Sequence, residues 1–119
     1  MKSARKWAVG LVCLLACLAL GAGLALAEDQ VIKITAKKFE YTPSQIKLKK
    51  GVPVVLELTS ADRLHGFNCP ELGVRADIVP GQTTRLRVTP SRTGTFEFRC
   101  DIFCGEGHED MTGSFVVTD

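Results

Sequence analysis

Apolar and polar residues alternate in short runs through residues 30–118, and this alternation limits the possible folds more than any other feature. In the run 52–59, for example, Val54, Leu56 and Leu58 share one face. A period of two is typical of an extended strand, because successive side chains of a strand point to opposite faces. The strands predicted in this way cover residues 30–39, 46–49, 52–59, 83–89, 95–100 and 113–118.

Short breaks rich in glycine and proline separate these runs, as expected for turns. With a short extended piece at residues 66–68, inside a loop expected over 60–72, the chain has about seven strands at a spacing typical of a sandwich. We therefore predict an all-β fold of two packed sheets. No internal repeat or linker interrupts residues 28–119, so we expect one domain there.

The N-terminal segment has a different composition from the rest of the chain. Three basic residues within the first six positions precede residues 7–27, which carry no charge and end in Ala25-Leu26-Ala27. This order is typical of a secretory signal, so we predict a boundary between 1–27 and 28–119. Two other interpretations stay open. The 21 uncharged residues are long enough for an uncleaved membrane anchor, and Cys17 follows a pattern that suits lipid attachment.

All three interpretations export residues 28–119, which predicts a location in the periplasm or on the extracytoplasmic face of the inner membrane. This part carries 12 Lys and Arg against 13 Asp and Glu, a balance that argues against nucleic-acid binding. It contains three cysteines, Cys69, Cys100 and Cys104. An odd number in an oxidising compartment argues against a simple disulfide framework.

Residues 100–111, CDIFCGEGHEDM, place four soft ligands in one short segment: Cys100, Cys104, His108 and Met111. The segment lies between two predicted strands, so we expect a single loop at one end of the sandwich. His65 follows the strand that ends at residue 59, and the connections of a sandwich are able to bring it to the same end. Thiolate, imidazole and thioether donors together favour copper over a hard metal.

Four interpretations of these donors stay open at this point. A disulfide between Cys100 and Cys104 leaves both histidines and Met111 idle. A zinc site of both cysteines with His65 and His108 has no use for Met111. A mononuclear blue-copper site uses one cysteine and leaves the other idle. A two-copper site uses every donor, with bridging thiolates and one histidine for each ion. Such a site has no open position for a substrate, which predicts electron transfer rather than catalysis.

The spacing C-x3-C-x3-H-x2-M resembles the copper A signature of cytochrome oxidase subunit II and of nitrous oxide reductase. The stretch DRLHGFNCPELGVRADIVPG, residues 62–81, resembles the part of subunit II that supplies the first histidine. FEYTPSQIKLKKG, residues 39–51, is similar to a common cupredoxin opening. The resemblance implies a cupredoxin-like Greek-key β-sandwich, here preceded by an N-terminal hydrophobic helix that is a signal or an anchor.

The resemblance also implies a ligand set for two copper ions. Both cysteines would bridge the ions, both histidines would be terminal ligands, and one main-chain carbonyl would complete the set at a position where many family members have Glu. The implied ligands are His65, Cys100, Ile102 through its carbonyl oxygen, Cys104, His108 and Met111. Because Ile102 would bind through the main chain, its side chain should not abolish the site.

The implied function is that of an exported one-electron carrier, not an enzyme on its own, either as a shuttle or as an oxidase subunit. Its partner would be a c-type cytochrome or a terminal oxidase or reductase, with no nucleic acid, and with a membrane only if 7–27 is an anchor. A mononuclear copper protein or a periplasmic copper chaperone or store is the alternative. The tryptophan that often follows the first histidine is replaced by Gly66-Phe67. Cys69 is expected to be a buried core residue.

Overall fold

Nine β-strands in two sheets make up the structure, a computed structural model that describes residues 29–119. The strands are β1 (Gln30–Lys37), β2 (Glu40–Thr42), β3 (Gln45–Lys49), β4 (Val54–Ser60), β5 (His65–Cys69), β6 (Val74–Ile78), β7 (Thr84–Val88), β8 (Gly94–Arg99) and β9 (Thr112–Thr118). One sheet has the order β2-β1-β4-β7 and the other the order β3-β9-β8-β5-β6. The predicted all-β sandwich is therefore confirmed for this part of the chain.

Helical structure within residues 29–119 is limited to two 3₁₀ turns, Pro70–Leu72 and His108–Asp110. No helix within residues 29–119 is long and apolar enough to cross a membrane. The predicted signal or anchor, residues 1–27, lies outside the described residues, as does Glu28. The N-terminal helix, its cleavage, its lipidation and the domain boundary after residue 27 remain predictions.

The alternating residues face the interior as the sequence pattern predicts. Ile34, Leu56 and Leu58 are fully buried between the sheets, and Val88 and Val117 are nearly so. The apolar face of each strand thus supplies the core, whose burial is the main favourable contribution to folding.

Four aromatic side chains form a layer inside the sandwich. The Phe98 ring centroid lies 4.7 Å from that of Phe67, 5.0 Å from that of Phe115 and 5.2 Å from that of Tyr41. Phe67 is two residues after His65, and Phe98 is two residues before Cys100. Because side chains two residues apart share a face of a strand, this layer lies directly beneath the two predicted ligands.

The structure corrects the prediction in three places. Residues 65–69 form strand β5 rather than a loop with a short extended piece, so His65 begins a strand. Strands β2 and β6 were not predicted, which raises the number from about seven to nine. The pairs β1 with β4 and β3 with β9 are parallel, which the alternation of residues did not predict.

Strand β3 lies at the edge of the five-stranded sheet. Its Lys47 and Lys49 side chains are exposed and alternate with buried Ile46 and Leu48. Charged side chains on an edge strand hinder its pairing with another chain.

Replacing Phe98 by alanine should lower the free energy of unfolding by about 3–5 kcal/mol, because both burial and packing of a large ring are lost. The same substitution at Phe103, whose side chain is 70 % exposed, is the matched control. It should change the free energy of unfolding by less than about 0.5 kcal/mol. Urea unfolding followed by circular dichroism measures both values. Equal losses would contradict the position of Phe98 in the core.

Candidate metal centre

Residues 100–111 form one loop that connects the neighbouring antiparallel strands β8 and β9. The Cys100 amide donates a hydrogen bond to the Met111 carbonyl oxygen at 3.1 Å, which closes the loop at its base. Within it, the amides of His108 and Met111 donate to the carbonyl oxygens of Gly105 and His108 at 3.2 Å each. The predicted position of this loop, at one end of the sandwich between two strands, is confirmed.

The loop gathers its donor atoms around two sulfurs. The Cys100 and Cys104 sulfurs lie 3.7 Å apart. The Cys100 sulfur is 3.0 Å from the Ile102 carbonyl oxygen. The Cys104 sulfur is 3.5 Å from His108 Nδ1 and 3.8 Å from Met111 Sδ. Each sulfur therefore has its own neighbours: a carbonyl oxygen beside one, and an imidazole and a thioether beside the other.

His65 reaches the same place from strand β5, although 35 residues separate it from Cys100. Its side chain is fully buried, and one ligand atom from each of His65, Cys100 and Cys104 lies within 4.8 Å of the others. The adjacent Gly66 amide donates a hydrogen bond to the Cys100 sulfur at 3.3 Å. The structure thus brings together all six residues that the sequence predicted as ligands.

This approach of β5 to the loop requires glycine at position 66. A Cβ atom there would lie 1.9 Å from Asp101 Oδ1 and 3.1 Å from the Asp101 amide nitrogen. Real Cβ atoms do not occur under 3.0 Å from such neighbours, so any side chain at this position would displace Asp101. The residue that would be displaced directly follows the proposed ligand Cys100.

The glycines at positions 105 and 107 allow an aromatic ring to cover the loop. A Cβ on Gly105 would lie 2.8 Å from the Phe39 ring, and one on Gly107 would lie 2.4 Å from it. Phe39 belongs to the turn between β1 and β2, which carries no predicted ligand. The motif G-x-G-H therefore has a packing reason: it lets Phe39 pack on the loop just before His108.

Asp62 contacts His65 and was not identified from the sequence. Its Oδ1 atom lies 2.6 Å from His65 Nε2. Desolvation by burial acts to raise the pKa of Asp62, but hydrogen bonds from the Lys38 amide, from His65 and from the Arg63 amide lower it to about 2. The carboxyl group is therefore ionised at neutral pH.

Arg75, on strand β6, holds the start of the loop. Its guanidinium donates to both Asp101 oxygens, from Nε at 2.9 Å and from Nη2 at 3.0 Å, and also donates to Asp77. These donors lower the pKa of Asp101. Asp77 is thus part of an ion-pair network beside the site. The sequence did not identify Arg75 as the partner of Asp101, because a single Arg in a strand carries no specific pattern.

The buried thiol of Cys104 resists ionisation while no metal is bound. Burial raises its pKa to about 11, and the hydrogen bond and charge of Cys100 add to the increase. The sulfur separation of 3.7 Å is far beyond the disulfide bond length of about 2.05 Å, so both residues are thiols in this structure. A metal that displaces the thiol proton would gain a strong thiolate ligand.

One buried atom has no hydrogen-bond partner among the described residues. His65 Nδ1 is the only buried side-chain nitrogen or oxygen in residues 29–119 for which this holds. A buried polar atom without a partner is costly, and a metal ion would satisfy it. The surrounding donors are thiol, thioether, imidazole and carbonyl, a soft set that suits copper. The residues present therefore fit the implied metal.

Two residues of strand β5 pack in the core and lie outside the candidate ligand group. Cys69, at the end of β5, is fully buried in the hydrophobic core and does not belong to the candidate ligand group, which confirms it as a core residue. Phe67, at the position where a tryptophan is common, lies within the aromatic layer. The exposed aromatic side chain near the site is Phe103, whose ring centroid lies 5.8 Å from that of His108.

Fold and donor set define this chain as a cupredoxin-like domain. Its residues 10–117 match the cupredoxin-like domain family, and the chain belongs to that family. Over 88 residues it is 32 % identical to cytochrome c oxidase subunit 2 of Thermus thermophilus, a match that covers 74 % of this chain and 65 % of that protein. The predicted resemblance to subunit II is confirmed, and the cluster of His65, Cys100 and Cys104 fits a copper A site.

Two solved structures share the fold. The periplasmic domain of subunit II of cytochrome oxidase from Bradyrhizobium japonicum has a TM-score of 0.71 at 22 % identity, over 78 % of this chain and 86 % of that chain. The metal-binding domain of a Cu(I)-exporting P-type ATPase of Streptococcus pneumoniae, solved with Cu(I), has a TM-score of 0.63 at 28 % identity, over 78 % of this chain and 91 % of that chain.

The chain spans about two thirds or less of the curated relatives it matches, with 65 % of the first Thermus protein and 52 % of a second subunit 2 from the same species. Homology to subunit II supports a copper-binding electron-transfer domain.

The requirement for glycine at position 66 is testable by a double-mutant cycle. Gly66→Ala should lower the free energy of unfolding by about 1–3 kcal/mol, because the new methyl group overlaps Asp101. In an Asp101→Ala background the nearest clashing atom is gone, so the same substitution should cost clearly less. Urea unfolding of the four proteins gives the coupling. An equal cost in both backgrounds would show that the Asp101 side chain is not what requires glycine.

Proposed function

We propose that this protein is a one-electron carrier whose site binds two copper ions in a copper A arrangement. The ligands would be His65, Cys100, the Ile102 carbonyl oxygen, Cys104, His108 and Met111. The observation that carries the proposal is the convergence of these donors on two sulfurs 3.7 Å apart, beside a buried histidine nitrogen that has no other partner among the described residues. A mononuclear site or a disulfide would leave at least one of the donors unexplained.

With Cys100, Cys104 and the other proposed ligands holding it, copper would supply the capacity to accept and release a single electron. The chain's own contribution is to hold the donors in place. Strands β8 and β9 fix the two ends of the loop, Arg75 fixes Asp101 beside Cys100, and Phe39 covers the loop backbone. Because the frame is rigid, little rearrangement should accompany a change in charge, which favours fast electron transfer and leaves no position for a substrate.

Phe103 and the acidic residues of the loop support a protein as the redox partner. The Phe103 side chain is 70 % exposed and lies against His108, so an apolar contact surface adjoins a proposed ligand. Four acidic residues lie in the same loop, Asp101, Glu106, Glu109 and Asp110, and Asp101 is paired with Arg75. Acidic side chains around an apolar contact would steer a basic partner. A c-type cytochrome or a terminal oxidase or reductase is the proposed partner, and the chain itself is proposed not to be an enzyme.

We place the domain outside the cytoplasm, in the periplasm or on the outer face of the inner membrane. The positively charged start and uncharged run of residues 1–27 support export. The similar subunit II domain of Bradyrhizobium japonicum is periplasmic, which agrees with this proposal. A retained segment 7–27 would make the protein an anchored oxidase subunit, and a cleaved one would make it a shuttle.

Copper handling is the second candidate function. The likeness to the metal-binding domain of the Cu(I)-exporting ATPase, at 28 % identity, favours it. A chaperone or store must release its copper to a partner, whereas an electron carrier must retain it. The strength of copper retention and the presence of a reversible redox wave therefore discriminate between the two functions.

Copper loading of the protein tests the proposal directly. Protein from the full chain, loaded without reducing agent, should hold two coppers that share one unpaired electron. Its thiolate charge-transfer bands should vanish on reduction. Metal analysis, electron paramagnetic resonance and visible spectra on one sample measure all three properties. A single-copper hyperfine pattern, or copper lost to a mild chelator, would contradict the proposal and favour a mononuclear site or a copper carrier.

Cys104→Ala should reduce the copper content to one ion or less and abolish the shared-electron signal, because a single remaining thiolate cannot form the double bridge. Cys69→Ala is the matched control, since Cys69 is also a buried thiol but lies outside the donor group. It should retain both coppers and the unchanged spectrum. Loss of the signal in both variants, or in neither, would count against Cys104 as a bridging ligand.

A further inference from the structure

The Asp62 carboxylate is held at three points, and only one of them is His65. Its Oδ2 accepts a hydrogen bond from the Lys38 amide at 2.8 Å. Its Oδ1 accepts one from the Arg63 amide at 2.7 Å and lies 2.6 Å from His65 Nε2. The Lys38 amide belongs to the turn between β1 and β2, 24 residues away in the chain. The carboxylate therefore links His65, in the five-stranded sheet, to a turn of the four-stranded sheet.

The short loop before His65 is also closed by Ser60. The Ser60 hydroxyl donates to the Arg63 carbonyl oxygen and accepts a hydrogen bond from the Asp62 amide at 3.3 Å. Residues before and after Asp62 in the chain therefore hold it by hydrogen bonds. A carboxylate on so rigid a support is able to impose an orientation on the ring that contacts it.

The protonation states follow from the hydrogen bonds. Each Asp62 oxygen already accepts a hydrogen bond from a main-chain amide, Oδ2 from Lys38 and Oδ1 from Arg63, so both oxygens act as acceptors. His65 Nε2 must then carry the hydrogen that it shares with Asp62. In a neutral imidazole the other nitrogen, Nδ1, is left with a free lone pair. Nδ1 is the buried atom that lacks any hydrogen-bond partner in the described residues.

We propose that Asp62 is a positioning residue that selects the Nε2–H tautomer of His65 and fixes its ring so that Nδ1 is the nitrogen offered to the metal. The inference deepens the proposed function and rests on it for the identity of the metal. Asp62 does not itself bind metal in this arrangement. It acts through His65, and it also ties the histidine to the β1–β2 turn that carries Phe39, the residue that packs on the ligand loop.

A purely structural role for Asp62 makes a different prediction. If the carboxylate only caps the Lys38 and Arg63 amides, its loss would lower stability but leave the His65 tautomer and the copper affinity unchanged. Asp62→Asn separates these roles in part. Its single carbonyl oxygen can still accept from Nε2, but it cannot accept from the histidine and from Lys38 at separate oxygens. Asp62→Ala removes every acceptor.

The first readout is the tautomer in the copper-free protein. Nitrogen-15 NMR of protein produced from the full chain distinguishes a protonated from a bare ring nitrogen. We expect the wild type to show His65 protonated at Nε2 and bare at Nδ1. Asp62→Ala should give a mixture of tautomers, and Asp62→Asn should stay closer to the wild type. A wild-type His65 protonated at Nδ1 would overturn the proposal without any variant, even if Asp62→Ala failed to fold.

The second readout is the affinity for Cu(I), measured by competition with a chromogenic chelator. Loss of such a supporting hydrogen bond typically weakens metal binding by about 10- to 100-fold, and we expect this range for Asp62→Ala. Asp62→Asn should restore part of the affinity. Glu71→Ala is the control, because it removes an exposed carboxylate that contacts Arg92 and lies outside both the candidate ligand group and the Arg75 network. It should bind Cu(I) as the wild type does.

The two readouts keep this inference distinct from the proposed function. Unchanged tautomer and unchanged affinity in Asp62→Ala would overturn the positioning role while leaving the copper site intact. A wild type that binds no copper, but whose His65 tautomer changes in Asp62→Ala, would overturn the copper function while supporting Asp62 as the residue that selects the tautomer. A lowered affinity in Glu71→Ala as large as that in Asp62→Ala would also overturn the role, because it would reflect a general effect of charge.

Discussion

The contact between strand β5 and the start of the ligand loop is the interaction on which the rest of the site depends. With no side chain at Gly66, the Gly66 amide comes within 3.3 Å of the Cys100 sulfur. The carbonyl oxygen of the same residue accepts a hydrogen bond from the Tyr41 hydroxyl at 2.7 Å. Burial raises the pKa of Tyr41 well above its usual value, so the hydroxyl keeps its proton and remains a donor. Both sides of Gly66 are thus fixed, and His65 beside it is fixed with them.

The aromatic layer gives this contact a firm base. Phe67 and Phe98 lie on the two strands that present His65 and Cys100, and Phe115 lies on the strand that follows the loop. Their ring centroids are 4.7 to 6.0 Å apart, at tilted or edge-to-face angles that aromatic pairs favour. Packed interiors transmit displacement rather than absorb it. A displacement of the aromatic core would therefore also move the donor residues.

The sequence allowed most of the fold to be predicted, because alternation is strong wherever one face of a strand is buried and the other exposed. It failed at β5, which is buried on nearly all its residues and therefore shows no alternation. It also failed at β2, which has only three residues, and at β6, where Arg75 and Asp77 are exposed and the inward face is only weakly apolar. Parallel pairing of β1 with β4 leaves no local signal, since it depends on residues distant in the chain.

The loop donors were predictable because they are adjacent in sequence and their spacing is specific. His65 was assigned by resemblance, and its approach to the loop needed the structure. The contact of Asp62 with His65 follows from a turn that brings Oδ1 within 2.6 Å of Nε2, and the sequence D-R-L-H alone does not specify such a turn. Arg75 and Asp101 meet across two strands, so neither residue indicates the other by its local context.

The main-chain hydrogen bond between Cys100 and Met111, which closes the ligand loop, has an evolutionary consequence. Every proposed donor except His65 lies within a segment whose two ends are adjacent strands of one sheet. Insertions, deletions or exchanges inside that segment leave the pairing of the strands unchanged. One scaffold can therefore be diversified into sites of different nuclearity and chemistry by changes in about a dozen residues, while the two sheets that support the loop keep their pairing.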